Sequence, residues 1–146
     1  MTTIAENQVR AMYELFKGYD EYTVEGVMRA RAPNCTHGIL PKSLGRETKN
    51  NEEYSQFFAA IAPIMKTFKA SHVTVHRIVN DPEHRELVCY ASGVGESPVG
   101  PYKNEYVFFL NFDDTGEKIT KIEEFVDSAF AKEYLAKVLE YKKNNP

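Results

Sequence analysis

The stretch YKNEYVFFLNFDDTGEKITKIEEFVDS, Tyr102–Ser128, decides the fold class of this chain. It contains two runs rich in aromatic and β-branched residues, and the turn sequence DDTGE at residues 113–117 separates them. Such runs joined by a Gly-containing turn predict two antiparallel strands. Two more runs of this kind precede them at residues 72–79 and 86–96, again separated by turn residues. The second half of the chain is therefore predicted to form a four-stranded antiparallel sheet.

The first half of the chain is predicted to be mainly helical. Apolar residues from Ile4 to Phe16 recur at helical spacing, with Gly18 as the expected stop. A short second helix is expected from its N-cap Thr23 to Pro33, where proline ends it. A strand or extended segment and two longer helices complete the prediction, at residues 34–41, 51–68 and 128–143 respectively.

Helices followed by strands define an α+β chain, in which the helices must cover the apolar face of the sheet. A chain of 146 residues fits one domain, so residues 1–146 are predicted to share one core. A helix laid across a curved sheet leaves a cone-shaped hollow between the two layers. Such a hollow is where a small-molecule site is expected.

Composition argues against several classes of partner. The formal net charge is -3, with 18 basic and 21 acidic residues and no long run of either sign, so neither a nucleic-acid surface nor a membrane surface is predicted. Charged residues interrupt the apolar spacing of the first 16 residues, which argues against a signal peptide and favours a cytoplasmic protein. Cys35 and Cys89 are far apart and are expected to be buried, reduced thiols.

The order of predicted elements resembles the nuclear-transport-factor-2-like fold, and within it the SnoaL-like cyclases and isomerases. Three strings, RAPNCTHGILPKSLGR (31–46), DPEHRELVCYASG (81–93) and GPYKNEYVFFLNFDDTGEKITKIEEFVDS (100–128), are similar to small fungal proteins that isomerise or cyclise meroterpenoid intermediates without a cofactor. This resemblance implies a cone-shaped α+β barrel and a homodimer formed through sheet surfaces. It also implies acid–base chemistry on a small hydrophobic polycyclic substrate.

Asp127 and Glu105 are the carboxylates proposed for proton transfer. Asp127 follows Phe125 and Val126 at the end of the last strand, where it either lines the pocket or caps the helix that begins at Ser128. Glu105 lies within an apolar strand, so it is either paired with a basic side chain or poised for proton transfer. If Phe112 pairs with Ile119 in a regular hairpin, Asn104 lies opposite Asp127 and can orient it.

His37 is the third candidate for acid–base catalysis, because a neutral imidazole can exchange protons near neutral pH; the alternative is a structural core histidine. Arg31 is expected to end the second helix, where it either binds a substrate carboxylate or carbonyl or stabilises the helix terminus. The remaining substrate-binding candidates are Asn104, Tyr106, His72 and His76. The two last-named histidines are predicted to share one strand face, together with Thr74 and Ile78, at a spacing too wide for a shared metal.

Several motifs of cofactor-dependent and nucleophilic enzymes do not occur in the sequence. The chain has no Gly-rich phosphate loop, no Gly-x-Ser-x-Gly elbow, no dinucleotide fingerprint and no His-x-x-x-His pair on a predicted helix. Neither a metal nor a cofactor is therefore predicted. The expected function is a cofactor-independent isomerase or cyclase, and the alternatives are a dehydratase or polyketide cyclase on the same scaffold, or a non-catalytic ligand-binding or dimerisation module.

Overall fold

The computed structural model describes residues 1–65 and 72–146, which form four α-helices and six strands. The helices are α1 (Ile4–Glu21), α2 (Val24–Met28), α3 (Asn51–Met65) and α4 (Ser128–Asn144). The strands are β1 (Arg31–Leu40), β2 (Lys49–Asn50), β3 (His72–Asp81), β4 (Glu86–Ser97), β5 (Gly100–Phe112) and β6 (Ile119–Val126). A single 3-10 turn, Lys42–Leu44, links β1 to β2. Phe68, predicted to belong to the apolar side of the third helix, lies outside the described residues.

The strands form one sheet in the order β2-β1-β6-β5-β4-β3. The four strands from β3 to β6 pair antiparallel with their neighbours in sequence, which confirms the predicted meander. β1 joins the sheet beside β6 in parallel orientation, with His37 opposite Ile122 and Ile39 opposite Glu124. The predicted α+β class is thus confirmed. The parallel pairing of β1 with β6 was not predicted from the sequence.

A β-bulge changes the register of the hairpin formed by β5 and β6. Phe112 pairs with Ile119 as predicted, but Asn111 pairs with Lys121, so one extra residue lies in β6 at this point. From there onward the pairing is shifted by one position, and the Asp127 amide donates to the Glu105 carbonyl at 3.1 Å. Glu105 rather than Asn104 therefore lies opposite Asp127, and the predicted Asn104–Asp127 pairing is wrong.

The main core lies between α1 and the inner face of the sheet. Met12, Leu15 and Phe16 of α1 are buried there, and the Phe16 ring lies 5.0 Å from that of Phe108 in β5. Leu110 on β5 and further residues of β4 and β6 complete this cluster. Because α1 covers only part of the inner face, α3 and α4 cover the remainder.

Two helix boundaries differ from the prediction. Gly18 lies inside α1 and does not end it. A glycine is needed at this position because α1 passes α2 so closely that a Cβ atom on Gly18 would stand 2.1 Å from the Gly26 carbonyl oxygen. α2 ends at Met28, and Arg31 is the first residue of β1. The position expected to end a helix therefore begins a strand of the central sheet.

Both cysteines are buried and unbonded, as predicted. The outer face of the sheet carries several exposed apolar side chains, namely Val79, Tyr90, Phe109 and Phe125. The homodimer implied by the family resemblance stays a prediction. Within residues 1–65 and 72–146, none of the helices has both the length and the apolar character needed to cross a membrane.

Candidate functional site

A cavity of about 210 Å³ lies between the inner face of the sheet and helices α1, α3 and α4. Most of its wall is aromatic or aliphatic, contributed by side chains such as Tyr19, Tyr54, Phe58, Ile61, Phe108, Tyr134 and Val138. The predicted hollow between helices and sheet is therefore present. Polar groups that reach this wall are few, and they form two clusters.

Glu124 is the carboxylate at the centre of the first cluster. It pairs with Phe108 on β5 and lies between Ile122 and Val126, two buried residues of β6, on the inner face of that strand. Its side chain lines the cavity and is 15% exposed. From the sequence, Glu123 and Glu124 are both expected on a solvated or interface face, and for Glu124 that expectation is wrong.

His37 holds the Glu124 carboxylate from the neighbouring strand. The His37 Nε2 atom lies 3.1 Å from Glu124 Oε1, and the imidazole is 2% exposed. Its ring stacks on that of Tyr54 from α3, with the centroids 4.4 Å apart. Two elements thus fix the imidazole plane, one through hydrogen bonding and one through stacking.

Arg31 lies behind His37 and is itself buried, at 6% exposure. Its Nη2 atom lies 3.1 Å from His37 Nδ1, and its Nε donates to the Val27 carbonyl at 2.7 Å. The guanidinium carbon lies 4.2 Å from the centroid of the Tyr54 ring, in cation–π geometry. Arg31 is not part of the cavity wall, so its predicted direct contact with substrate is not supported, whereas the alternative contact with a helix terminus is present at Val27.

The protonation state of His37 follows from these neighbours. A guanidinium can only donate hydrogen bonds, so Nδ1 must accept one, and Nε2 carries the proton that is donated to Glu124. Burial lowers the pKa of His37 below its usual value of 6.5, and Arg31 and Lys49 act in the same direction, against the opposing effect of Glu124. His37 is therefore a neutral imidazole.

Tyr54, which is buried, and Tyr19, which is partly buried, complete this cluster with their hydroxyl groups. The hydroxyls of Tyr19 and Tyr54 lie 2.5 Å apart, and Arg31 Nη2 donates to the Tyr19 hydroxyl at 3.3 Å. Burial raises the pKa of Tyr54 to about 12 and places that of Tyr19 well above its usual value. Both phenols stay neutral near neutral pH and cannot supply a negative charge to balance Arg31.

The second polar cluster lies on β5. The hydroxyls of Tyr102 and Tyr106 are hydrogen-bonded to each other, and burial raises the pKa of both well above the usual range. Asn104, buried between them in sequence, also lines the cavity, and its amide oxygen accepts from the Glu105 backbone. Gly93 on β4 faces these residues, and a Cβ there would lie 3.2 Å from the Tyr106 ring and hydroxyl. This cluster offers neutral hydrogen-bond donors to a bound molecule.

Neither carboxylate chosen from the sequence reaches the cavity. Asp127 is exposed and is the N-cap of α4, where its side chain accepts from the Phe130 amide at 3.3 Å. Glu105 lies on the outer face of the sheet and accepts a hydrogen bond of 2.6 Å from the Tyr90 hydroxyl. The prediction that these two residues project into the pocket is wrong, and the alternative role of Asp127 as a helix cap is the one present. The bulge in β6 turns Asp127 outward, whereas Glu105 faces outward through the regular alternation of β5, in which Asn104 and Phe108 are buried.

The two strand histidines are separated by a second bulge. Between Val75 and Arg77 the register of β3 shifts, so the regular alternation assumed for His72 and His76 does not hold. His72 lines the cavity at an exposed position, with Nδ1 3.7 Å from Asp20 Oδ2. His76 is exposed and bonds Ser92 Oγ at 2.7 Å, away from the cavity. The prediction that His76 contacts substrate is therefore not supported.

At the cavity wall formed by the segment after β1, Arg46, Glu47 and Lys49 bring charged groups next to the aromatic lining. The Lys49 ammonium lies 5.1 Å from the centroid of the Phe57 ring. Over the described parts of the chain, no cluster of three or more His, Cys, Asp or Glu side chains is arranged to hold a metal ion.

Sequence comparison finds fungal relatives over nearly the whole chain. The chain is 31% identical over 141 residues to monooxygenase AacuP of Aspergillus aculeatus, which covers 97% of this chain and 95% of the relative. It is 30% identical over 146 residues to a monooxygenase of Claviceps purpurea, covering 100% of this chain and 91% of the relative. No family model matches the chain.

Structural comparison identifies the fold. The BvnE pinacolase from Penicillium brevicompactum superimposes with a TM-score of 0.85 at 21% sequence identity, over 94% of each chain. Solved structures with the same architecture also include NTF2-like proteins. The nuclear-transport-factor-2-like fold is therefore shown by the structure.

Proposed function

Because the chain belongs to the family of small fungal proteins that includes monooxygenase AacuP, we propose that it is a fungal secondary-metabolism enzyme that works by acid–base catalysis. The observation that carries this proposal is the Glu124 carboxylate, which projects into an aromatic cavity and is hydrogen-bonded by the neutral imidazole of His37. We therefore assign to Glu124 the acid–base role that the sequence suggested for Asp127 and Glu105.

Glu124 has the geometry of a general base. Its Oε1 accepts from His37, whereas Oε2 has no hydrogen-bond partner in the part of the chain that the structure describes. An oxygen with open lone pairs in a largely apolar cavity can take a proton from a bound substrate. His37 keeps the carboxylate plane fixed while this happens.

Tyr106 is proposed to stabilise the charge that forms on the substrate. Proton removal next to a carbonyl group produces an enolate, whose oxygen needs hydrogen-bond donors. The Tyr106 hydroxyl, coupled to that of Tyr102, lines the same cavity as Glu124 and remains protonated because its pKa is raised. Asn104 supplies an amide in the same wall. Return of the proton to a different atom gives an isomer, and attack of the enolate on a second group of the substrate gives a ring.

The proposed substrate is a flat, hydrophobic polycyclic intermediate, with a meroterpenoid as the first class to test. Aromatic rings line the cavity from several directions, including Tyr22, Tyr54 and Phe58 from the helices. Such walls bind polycyclic molecules by stacking and by burial of apolar surface. The reaction is proposed to need no cofactor.

The test is incubation of the purified protein, after exhaustive dialysis against a chelator, with a panel of polycyclic enolisable ketones and lactones. Product analysis by chromatography and mass spectrometry should show conversion to a compound of unchanged mass. Exchange of the substrate C–H with deuterium from D₂O should accompany it and should depend on Glu124. Absence of both conversion and exchange across the panel, together with binding detected by a rise in melting temperature, would favour the ligand-binding module over the enzyme.

A second candidate is oxygenation, favoured by the names of the two fungal relatives described above, both monooxygenases. Here Glu124 would remove a proton from an activated CH₂ group, and the resulting carbanion would transfer electrons to O₂ to form a hydroperoxide. Loss of water from the hydroperoxide gives C=O, so CH₂ and O₂ yield C=O and H₂O. Reaction under ¹⁸O₂ separates the two candidates, because oxygenation introduces one labelled oxygen atom and isomerisation introduces none.

A further inference from the structure

The buried guanidinium of Arg31 is the least expected charge in the molecule. Among the described residues no carboxylate lies within salt-bridge distance of it, and its Nη1 atom is buried without a hydrogen-bond partner. An isolated buried cation destabilises a fold unless nearby groups compensate it. Glu124 is linked to Arg31 only indirectly, because the His37 ring lies between them and contacts both.

Arg31 is also held rigidly. Its Nε donates to the Val27 carbonyl at the end of α2, and Nη2 donates to both the Tyr19 hydroxyl and His37 Nδ1. These contacts tie one guanidinium to α1, α2 and β1 at once. A side chain so constrained presents its donor to His37 in one fixed direction.

We propose that Arg31 is a positioning residue that locks His37 in the Nε2-protonated neutral tautomer, and thereby aims its N–H at Glu124. If Nδ1 carried the proton instead, two donors would face each other across the 3.1 Å contact with Arg31, and Glu124 would lose its donor. For its effect on turnover this inference rests on the proposed function, but the tautomer itself is a property of the protein alone.

The groups facing His37 determine how its pKa should change when Arg31 is removed. Glu124 from β6 favours a proton on the ring, whereas Arg31 and Lys49 disfavour it, and the neutral ring of Tyr54 covers one face. Without Arg31, Nδ1 loses its donor and one of the two opposing charges disappears. His37 should then bind a proton at higher pH and alternate between tautomers.

The first experiment uses the unmodified protein with ¹⁵N-labelled histidine. Two-bond ¹H–¹⁵N spectra distinguish protonated from unprotonated ring nitrogens, and comparison with His37→Gln assigns the His37 signals among the four histidines. The proposal requires a protonated Nε2 and an unprotonated Nδ1 at neutral pH. A proton on Nδ1, alone or together with one on Nε2, would overturn it whether or not any substrate is known.

The second experiment compares Arg31→Lys and Arg31→Gln with a matched control, Arg29→Lys. Arg29 lies two positions earlier but forms a surface ion pair with Glu21 at 3.0 Å. Arg31→Gln, which removes the positive charge, should raise the pH at which His37 titrates in the same spectra, whereas Arg31→Lys keeps the charge and should shift it less. Both variants lose the fixed guanidinium donor and should lower kcat by about 10-fold or more with little change in KM, as residues that orient a catalytic group do. The control should change neither quantity. An Arg31→Gln variant that folds and leaves the His37 tautomer and its titration unchanged would refute the positioning role.

Discussion

The Nε2 atom of His37 lies 3.1 Å from Oε1 of Glu124, although the two residues are 87 positions apart in the sequence. The parallel pairing of β1 with β6 creates this contact, since it places Ile39 directly opposite Glu124 and His37 two positions earlier on the same face. A buried imidazole therefore holds a carboxylate in the cavity wall.

Replacement of Glu124 by Gln should lower turnover by at least about 100-fold, the usual scale for loss of a general base. The amide keeps the size of the side chain, so the fold should be retained. Glu123→Gln is the matched control, because Glu123 pairs with Phe109, an outward-facing residue, and lies 3.3 Å from Lys121. Kinetic assays with circular dichroism as the folding check would measure both variants, and a Glu124→Gln enzyme with near-normal kcat would exclude Glu124 as the base.

Replacement of Asp127 by Ala should affect stability and leave turnover nearly unchanged. As the N-cap of α4, the carboxylate accepts from the Phe130 amide, and loss of such a cap costs about 1 kcal/mol. Asp127→Asn retains the capping geometry and should be close to neutral. Denaturant unfolding and kinetics on the same samples test this, and a large loss of activity in Asp127→Asn would restore Asp127 to the mechanism.

His37 should make the fold less stable at acid pH. Its pKa is lowered by burial in the folded protein, so the unfolded chain binds a proton below the usual value of 6.5 while the folded chain does not. The free energy of unfolding should therefore fall as pH decreases from about 6.5 toward the folded-state pKa, with a slope of at most about 1.4 kcal/mol per pH unit.

The contribution of His37 to this pH dependence can be isolated with His37→Gln, which has no titrating ring. The difference in unfolding free energy between the two proteins should change with pH below 6.5 and be flat above it. Equal slopes in both proteins on the acid side would mean that His37 is not held neutral.

Gly18→Ala should destabilise the protein by about 1–3 kcal/mol, the usual range for overpacking. The added methyl group would meet the backbone of Gly26 at 2.1 Å, and a backbone cannot rotate away as a side chain can. Lys17→Ala, at an exposed neighbouring position of α1, is the control and should be near neutral. Thermal unfolding of the two variants gives the comparison.

Gly93→Ala tests the shape of the cavity at the Tyr102–Tyr106 pair. Its methyl group would lie 3.2 Å from the Tyr106 hydroxyl, which must then shift together with Tyr102. We expect a higher KM for a substrate that contacts this pair, with stability retained to within about 1 kcal/mol. An unchanged KM would place the bound substrate elsewhere in the cavity.

Periodicity was sufficient to predict the layers of this fold, because each strand of the meander carries its own turn residues and each helix its own apolar side. It could not predict the bulge in β6. When the alternation is counted from Ile119 without a bulge, Asp127 faces inward. The extra residue in β6 reverses the pattern, so that Glu124 faces inward and Asp127 outward.

Arg31 and His37 illustrate a second limit. Both residues were candidates from the sequence, but their contact with each other and with Glu124 depends on where α2 ends and on a parallel partner strand far away in the chain. Neither feature has a local signal comparable to a turn or a cap. Glu124 itself carried a signal, since it lies between Ile122 and Val126 in simple alternation.

The position of β1 beside β6 also affects how the chain can fold during its own translation. While a ribosome is still translating the middle of the chain, Arg31 and His37 have already emerged, yet the strand bearing Glu124 does not exist. His37 therefore lacks its Glu124 partner until β6 has been synthesised. The Glu124–His37 contact should consequently form only in nearly full-length nascent chains, so that fragments ending before residue 124 lack it even where they are partly folded.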